Sequence, residues 1–180
     1  MKRWHIKSIL LSLLMLAMLI SPLYGQEHQL ADQKLLNKAK SLKIDAEAIE
    51  NFKSFLKMQP RHPKAHFGLA TSYAMLGKQE EAKQHYENAI AYDPGFLSPY
   101  INLANLHMTT GNIIEAKNLL KMVLLKNPNL AGVHKNLGLI LMQEKDMNNA
   151  SEHFREYLRL MPTASDALTI KSFLQNKNQS

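Results

Sequence analysis

The sequence predicts an all-α protein built of repeated antiparallel helix hairpins. Three stretches of equal length, Gly77–Pro94, Gly111–Pro128 and Lys145–Pro162, follow one another at a period of 34 residues. Each stretch has alanine at its sixth position and proline at its last. Apolar residues in and before these stretches recur every three or four residues, which is the spacing of one helix face.

The 34-residue period indicates a structural role for the small residues and for the proline. When each unit is numbered so that this proline is place 32, the units start at Pro63, Leu97 and Ala131. Place 8 and place 20 are then small in all three units: Ala70, Ala104 and Gly138; Ala82, Ala116 and Ala150. Small side chains let two helices approach closely, so we expect the helices of each hairpin to cross there. Proline ends the second helix, because it cannot continue one.

Breakers near place 15 divide each unit into two helices. Gly77 and Gly111 occupy that place in the first two units, and glycine commonly follows the end of a helix. Two helices of about 14 residues in each unit are therefore predicted, joined by a short turn.

Less regular segments flank the three clear units. Counting back from Pro60 gives a degenerate unit, in which Leu36 stands where a small residue is expected. After Pro162, the residues Ala167, Ile170 and Leu174 share one helical face, which indicates a capping helix. The predicted boundaries are 1–25, 26–62 (degenerate unit), 63–96, 97–130, 131–164 and 165–180 (cap and tail).

Residues 1–25 have the layout of a secretory signal peptide. A basic start precedes an apolar run from Ile9 to Ile20, and Ser21, Pro22 and small residues follow. We expect cleavage after Gly25 and export, with the bacterial periplasm as the destination. The alternative is an uncleaved anchor in the inner membrane, since residues 8–25 carry no charge. In both cases the rest of the chain lies outside the cytoplasm.

Composition excludes several other classes of function. The chain has no cysteine, so it can form neither disulfides nor thiolate metal sites. Its formal charge is +7, but three of the 22 basic residues are Lys2, Arg3 and Lys7. The remaining surplus is spread along the chain and does not indicate a nucleic-acid partner.

This repeat resembles the tetratricopeptide repeat, which has the same period. The resemblance covers residues 63–162 and is carried in the first unit by Leu69, Ala70, Tyr73, Ala82, Tyr86, Ala89 and Pro94. It implies a right-handed superhelical solenoid whose concave groove is formed by the first helix of each unit. The family often has an aromatic residue at place 4; Tyr100 fits, whereas His66 and His134 do not.

By the same resemblance, places 2, 5, 9 and 12–13 of each unit face the groove and form the candidate binding site. The residues at these places that we expect to contact a partner are Lys64, Phe67, Thr71, Met75, Ile101, Asn105, Met108, Lys135, Leu139 and Met142. We expect a mildly positive groove with apolar spots, suited to an extended or helical peptide with apolar anchors and some acidic character. The alternative is that these apolar residues pack on one another. Gly68 and Gly132 replace polar residues needed for a carboxylate clamp, so none is predicted.

The predicted function is a protein–protein interaction scaffold with no cofactor and no enzymatic activity. The alternative is a membrane-anchored subunit of an envelope assembly of the pilus, secretion or cofactor-attachment type. A third option is self-association through Tyr92 and Phe96.

The histidines do not indicate a metal site. His62 and His66 have the spacing of two metal ligands on a helix, but Pro63 starts the helix between them. His107 and His134 fall at helix-packing places, where a partly buried structural histidine is expected.

Overall fold

The computed structural model describes residues 46–177, and every regular element in that range is an α-helix. The first described helix, α1, covers residues 46–58. It is followed by α2 (Pro63–Met75), α3 (Gln79–Tyr92), α4 (Leu97–Thr109), α5 (Ile113–Lys126), α6 (Ala131–Gln143), α7 (Met147–Leu160) and α8 (Ala167–Lys177). The predicted signal peptide and the first helix of the degenerate unit lie outside the described residues.

The helices form the all-α solenoid of antiparallel hairpins that the sequence predicts. Helices α2 and α3, α4 and α5, and α6 and α7 pair as hairpins, and α3 and α5 also pack against the helix that follows each of them. Helices α2 to α8 belong to one compact unit, Ala48–Ser180. Between residues 46 and 177, no helix is both long and apolar enough to cross a membrane.

Each hairpin turns at place 15 through a residue with a positive φ angle. Gly77 and Gly111 have φ of 74° and 83°, and Lys145 takes the same conformation in the third hairpin with φ of 62°. The next backbone N–H donates to the carbonyl five residues back, at 2.9 Å from Lys78 to Tyr73. This is the Schellman arrangement, which satisfies carbonyls left free at a helix end. The turn therefore forms in the third unit without glycine.

The proline at place 32 follows each second helix by two residues. Helix α3 ends at Tyr92, and the intervening Asp93 is extended, with φ of −144° and ψ of 90°. An extended backbone is what proline imposes on the residue before it. The Asp93 carboxylate accepts a hydrogen bond from Gly95 N at 2.9 Å, which closes the turn into the next unit.

The helices of each hairpin touch where the sequence predicts. The alanines at places 8 and 20 are fully buried in every unit that has them: Ala70, Ala82, Ala104, Ala116 and Ala150. In the third hairpin, a Cβ atom on Gly138 would lie 2.6 Å from Cε1 of Phe154, the large residue at place 24. The Phe154 ring therefore fills the space that a side chain at place 8 would need.

The core runs between the hairpins and is closed at the C-terminal end by α8. Ile170 is buried with Leu141, Phe154 and Tyr157, and Leu174 packs against the edge of this cluster. Ala167 is 4% exposed. The predicted face of α8 therefore covers the last apolar surface of the solenoid.

The glycine at the third helix crossing can be tested by a matched pair of substitutions. We expect Gly138→Ala to destabilise the protein by about 1–3 kcal/mol relative to Gly132→Ala, because Phe154 is buried and must move. A Cβ on Gly132 meets nothing within 4 Å, so that variant should match or slightly exceed the wild-type stability. Urea unfolding of both variants measures the difference, and equal stabilities would show that the hairpin is not closely packed at place 8.

Candidate functional site

The candidate site is the surface formed by the first helices α2, α4 and α6, called the inner face below. One asparagine amide joins two of its helices, and another joins α4 to the second helix of the first hairpin. Asn136 of α6 donates to Oδ1 of Asn105 on α4 at 2.7 Å. Asn102 of α4 donates to the Tyr86 hydroxyl of α3 at 3.3 Å. The inner face is therefore continuous from the first hairpin to the third and carries polar groups along its middle.

A pocket of 290 Å³ opens beside these amides. Its lining comes from the first hairpin and from α4: Ala74, Gln79, Tyr86, Asn102, Asn105, Leu106 and Thr109. The Asn105 amide nitrogen makes no hydrogen bond within the described residues, and Asn105 is exposed. The pocket thus combines an apolar floor with a donor that a ligand can reach.

Five of the ten predicted groove residues are exposed on the inner face. They are Lys64, Met75, Asn105, Leu139 and Met142. Among the apolar members, Met75 is 65% exposed, Leu139 39% and Met142 36%. These side chains are available to a partner.

The other five are half-buried and serve the fold as well. Ile101 and Met108 pack against the central core. The ring of Phe67 lies 5.1 Å from that of Phe96, and the Thr71 hydroxyl donates to the Phe67 carbonyl at 2.9 Å. Phe67 and Ile101 therefore pack against the core, whereas Leu139 is exposed.

Lys135, the fifth half-buried residue, is paired within the chain. Its ammonium lies 3.1 Å from Oδ2 of Asp166 and 5.5 Å from the centre of the Tyr157 ring. The Tyr157 hydroxyl also donates to Asp166; this bond and the Lys135 charge together lower the pKa of the Asp166 carboxyl. Asp166 neutralises one of the predicted basic groups at this end of the inner face. The sequence reasoning missed it, although the 34-residue register places it at place 2 of a following unit.

Tyr92 and Phe96, the residues proposed for self-association, differ in exposure. Tyr92 is 41% exposed, and its ring lies 5.3 Å from that of His66. Phe96 is half-buried against Phe67. Tyr92 is therefore the one of the two that offers substantial surface.

The histidines singled out in the sequence cap a helix or are buried in the structure. Nδ1 of His62 accepts a hydrogen bond from Ala65 N at 3.1 Å, so His62 caps the start of α2. His107 and His134 are buried, as the sequence predicts. Among residues 46–177, no three histidine, aspartate or glutamate side chains are grouped to hold a metal ion.

The two histidines at place 4 each contact a second histidine, which sequence reasoning did not anticipate. Nδ1 of His66 lies 2.9 Å from Nδ1 of His85, and Nδ1 of His134 lies 2.9 Å from Nδ1 of His153. The clue was present in the sequence, because His85 and His153 share place 23.

Models of the tetratricopeptide repeat match three overlapping or adjacent stretches of the chain. They cover residues 46–95, 76–137 and 133–163. Together these matches span the degenerate unit's second helix and all three clear units.

Known proteins with similar sequences or structures agree with these matches. The anaphase-promoting complex subunit cut9 of Schizosaccharomyces pombe is 30% identical over 119 residues, which are 64% of this chain and 17% of that protein. This chain thus spans less than a fifth of that relative's length. The crystal structure of MamA has a TM-score of 0.65 at 19% identity, covering 72% of this chain and 77% of that one. That of YrrB has a TM-score of 0.64 at 18% identity, covering 72% and 67%.

Methionine oxidation measures which inner-face side chains are open. We expect hydrogen peroxide to convert Met75 to the sulfoxide several times faster than Met108, because Met75 is 65% exposed whereas Met108 packs against the core. Peptide mass spectrometry after short exposures gives both rates. Met58, which is 75% exposed, is the reference for an open side chain. Equal rates for Met75 and Met108 would show that α4 does not bury its methionine.

Proposed function

This chain belongs to the tetratricopeptide repeat family, and from that premise we propose that it is a protein–protein interaction scaffold that holds a segment of a partner protein on its inner face. The fold generally serves as a non-catalytic scaffold. The observation that carries the proposal is that the inner-face helices bear exposed apolar side chains and a free amide donor, and that this donor lines a pocket. YrrB, which shares this fold, is described as a tetratricopeptide repeat protein with an unusual peptide-binding site.

The side chains of the inner face suit a partner segment that has apolar side chains and an accessible backbone. Met75 and Leu139 offer exposed apolar contacts, and methionine adapts its shape to different ligands. The Asn105 amide nitrogen makes no hydrogen bond within the described residues, so it is free to donate to a peptide carbonyl. Lys64 is exposed and unpaired within the described residues, so an acidic group fits best near the start of α2.

Selection from a peptide library on the whole protein tests this proposal without knowledge of the natural partner. We expect selected peptides to bind at least tenfold more weakly to the double variant Met75→Asp, Leu139→Asp, because each carboxylate would lose water against an apolar ligand. Binding would be measured by isothermal titration calorimetry.

Leu125→Asp is the matched control for this experiment. Leu125 is 86% exposed on the second helix α5, away from the inner face, so the same substitution there should leave affinity within about twofold. Loss of binding in the control but not in the double variant would move the site to the second helices. Loss in both or in neither would also contradict binding on the inner face.

We further propose that the protein is exported and that residues 1–25 are removed. The support is the basic start, the 12-residue apolar run of Ile9–Ile20 and the small Gly25 directly before Gln26. The alternative is retention of this segment as an anchor, which would make the solenoid a fixed subunit of an envelope assembly.

Intact-mass analysis of the protein expressed from its own start codon separates these two outcomes. We expect a product that begins at Gln26 and fractionates with periplasmic proteins. Gly25 is the small residue directly before the expected cut, so Gly25→Arg should block processing and leave the full-length chain in the membrane fraction. A wild-type chain that keeps Met1–Gly25 and sediments with membranes would support the anchored alternative.

A further inference from the structure

The first hairpin contains a pair of histidines fastened to the preceding turn. Nε2 of His66 lies 2.9 Å from the carbonyl oxygen of Pro60, and Nδ1 of His66 lies 2.9 Å from Nδ1 of His85 on α3. The two rings stack with their centres 5.1 Å apart. The pair therefore ties α2 both to its own second helix and to the turn that ends the unit before it.

The third hairpin repeats the arrangement with the same distances. Nε2 of His134 lies 2.9 Å from the carbonyl oxygen of Pro128, and Nδ1 of His134 lies 2.9 Å from Nδ1 of His153 on α7. Both histidines occupy the same places as in the first hairpin. Because the same geometry occurs in two hairpins, we infer that histidines at places 4 and 23 are sufficient to form it.

The hydrogen bonds fix which nitrogens carry protons. A carbonyl oxygen only accepts, so Nε2 of His66 must be protonated and must donate to Pro60. In a neutral His66 ring, Nδ1 is then an acceptor, and Nδ1 of His85 must donate to it. One additional proton can enter on Nε2 of His85 without breaking either bond. A second would place two N–H groups and two positive charges face to face across 2.9 Å.

The middle hairpin makes the same connection without a titrating pair. The Tyr100 hydroxyl donates to the Pro94 carbonyl oxygen at 3.3 Å, from the same place 4. Place 23 is Leu119, which packs against the two neighbouring core clusters. The connection to the preceding proline therefore does not itself require histidine.

Positive groups surround the first pair more than negative ones do. From α1, Lys53 and Lys57 line an open pocket of 380 Å³ that reaches both histidines. Lys53 is paired with Glu50 at 3.0 Å. From α2 and α3, the rings of Tyr73 and Tyr92 lie against His85 and His66. Burial, then the charge of His66, then that of Lys53 lower the pKa of His85.

The second pair has a more mixed environment. From α5, Lys121 acts on His153; from α7, Glu152 acts in the opposite direction. Glu156 also faces His134, but its carboxylate is paired with Arg159. Burial, followed by the charge of His134, still lowers the pKa of His153. In both pairs, therefore, the pKa of the histidine on the second helix is lowered.

We propose that the two histidine pairs are proton-sensitive joints, which hold the first and third hairpins to their preceding turns at neutral pH and open when each pair must carry two protons. This inference does not depend on the identity of any partner. The middle joint, made by Tyr100, keeps its hydrogen bond across the same pH range. Acidification would therefore loosen the solenoid at two defined places.

The direction of the pH effect follows from the protons that each state binds. In the unfolded chain both members of a pair take up a proton as the pH falls below about 6.5. The folded pair accepts at most one, and His85 and His153 have lowered pKa values. Unfolding then takes up protons, so stability falls as the pH falls below about 6.5. Each proton taken up raises the unfolding equilibrium constant about tenfold per pH unit.

Exchange of the joints for the middle one tests the proposal. In the fourfold variant His66→Tyr, His85→Leu, His134→Tyr, His153→Leu, places 4 and 23 of the outer hairpins carry the residues of the middle hairpin. Urea unfolding between pH 7 and pH 5 gives the unfolding constant of both proteins. All other titrating groups are shared, so their contributions cancel in the comparison.

We expect the wild-type unfolding constant to rise more steeply on acidification than that of the variant. The wild type should take up about one more proton per pair on unfolding. For two pairs, the unfolding constant should therefore rise by an additional factor of at least about a hundred per pH unit below pH 6. Equal slopes in a folded variant would overturn the proposal. If the variant does not fold, ¹⁵N imidazole spectra of the wild type decide. At pH 7.5 we expect His66 to be protonated on Nε2 and His85 on Nδ1. We expect the folded-state signals to disappear when a pair takes up its second proton. Independent titration of all four rings near pH 6.5 without such loss would overturn it.

Discussion

The close approach of the two helices in each hairpin is the constraint on which the rest of the structure depends. Ala70 and Ala82 are fully buried, and the third hairpin leaves no room at Gly138 for even a methyl group beside Phe154. With small residues at the crossing, the large residue at place 24 can fill the adjacent space at native packing density. The spacing set within each hairpin then determines how the next one can stack on it. For this reason the small residues recur in all three clear units while their neighbours vary.

A second constraint acts between hairpins. The carbonyl of the proline at place 32, or of Pro60 before the first clear unit, cannot be satisfied by a continuing helix. The side chain at place 4 of the next unit bonds to it in all three cases, from His66, Tyr100 and His134. Place 4 therefore requires a ring that carries a hydrogen-bond donor, which phenylalanine lacks. Histidine meets the same requirement as tyrosine, but it adds a second nitrogen that needs a partner of its own, and place 23 supplies that partner.

Sequence periodicity predicts the hairpins, the helix crossings and the cap because these depend on local pattern and on side-chain size. It also predicts that His134 is buried. Sequence periodicity does not predict the pairing of His134 with His153, because this contact joins two helices across a hairpin and depends on ring orientation. The ion pair of Lys135 with Asp166 escapes it for a different reason. Asp166 follows the last recognisable unit, so its register with the inner face becomes visible only once the solenoid is seen to continue into α8.

Comparison among the repeats separates side chains that hold the fold together from those that are free to bind. Places 4, 8, 20 and 32 keep one physical property in all three clear units, and each has a structural task. Along the inner face, by contrast, place 9 is Thr71, Asn105 or Leu139, with no shared property. The ion pair of Lys135 occupies the α6 end of this face, whereas Lys64, Met75 and the Asn105 donor stay open around α2 and α4. The unpaired polar groups of the inner face therefore lie on α2 and α4, whereas Leu139 and Met142 give α6 an exposed apolar surface.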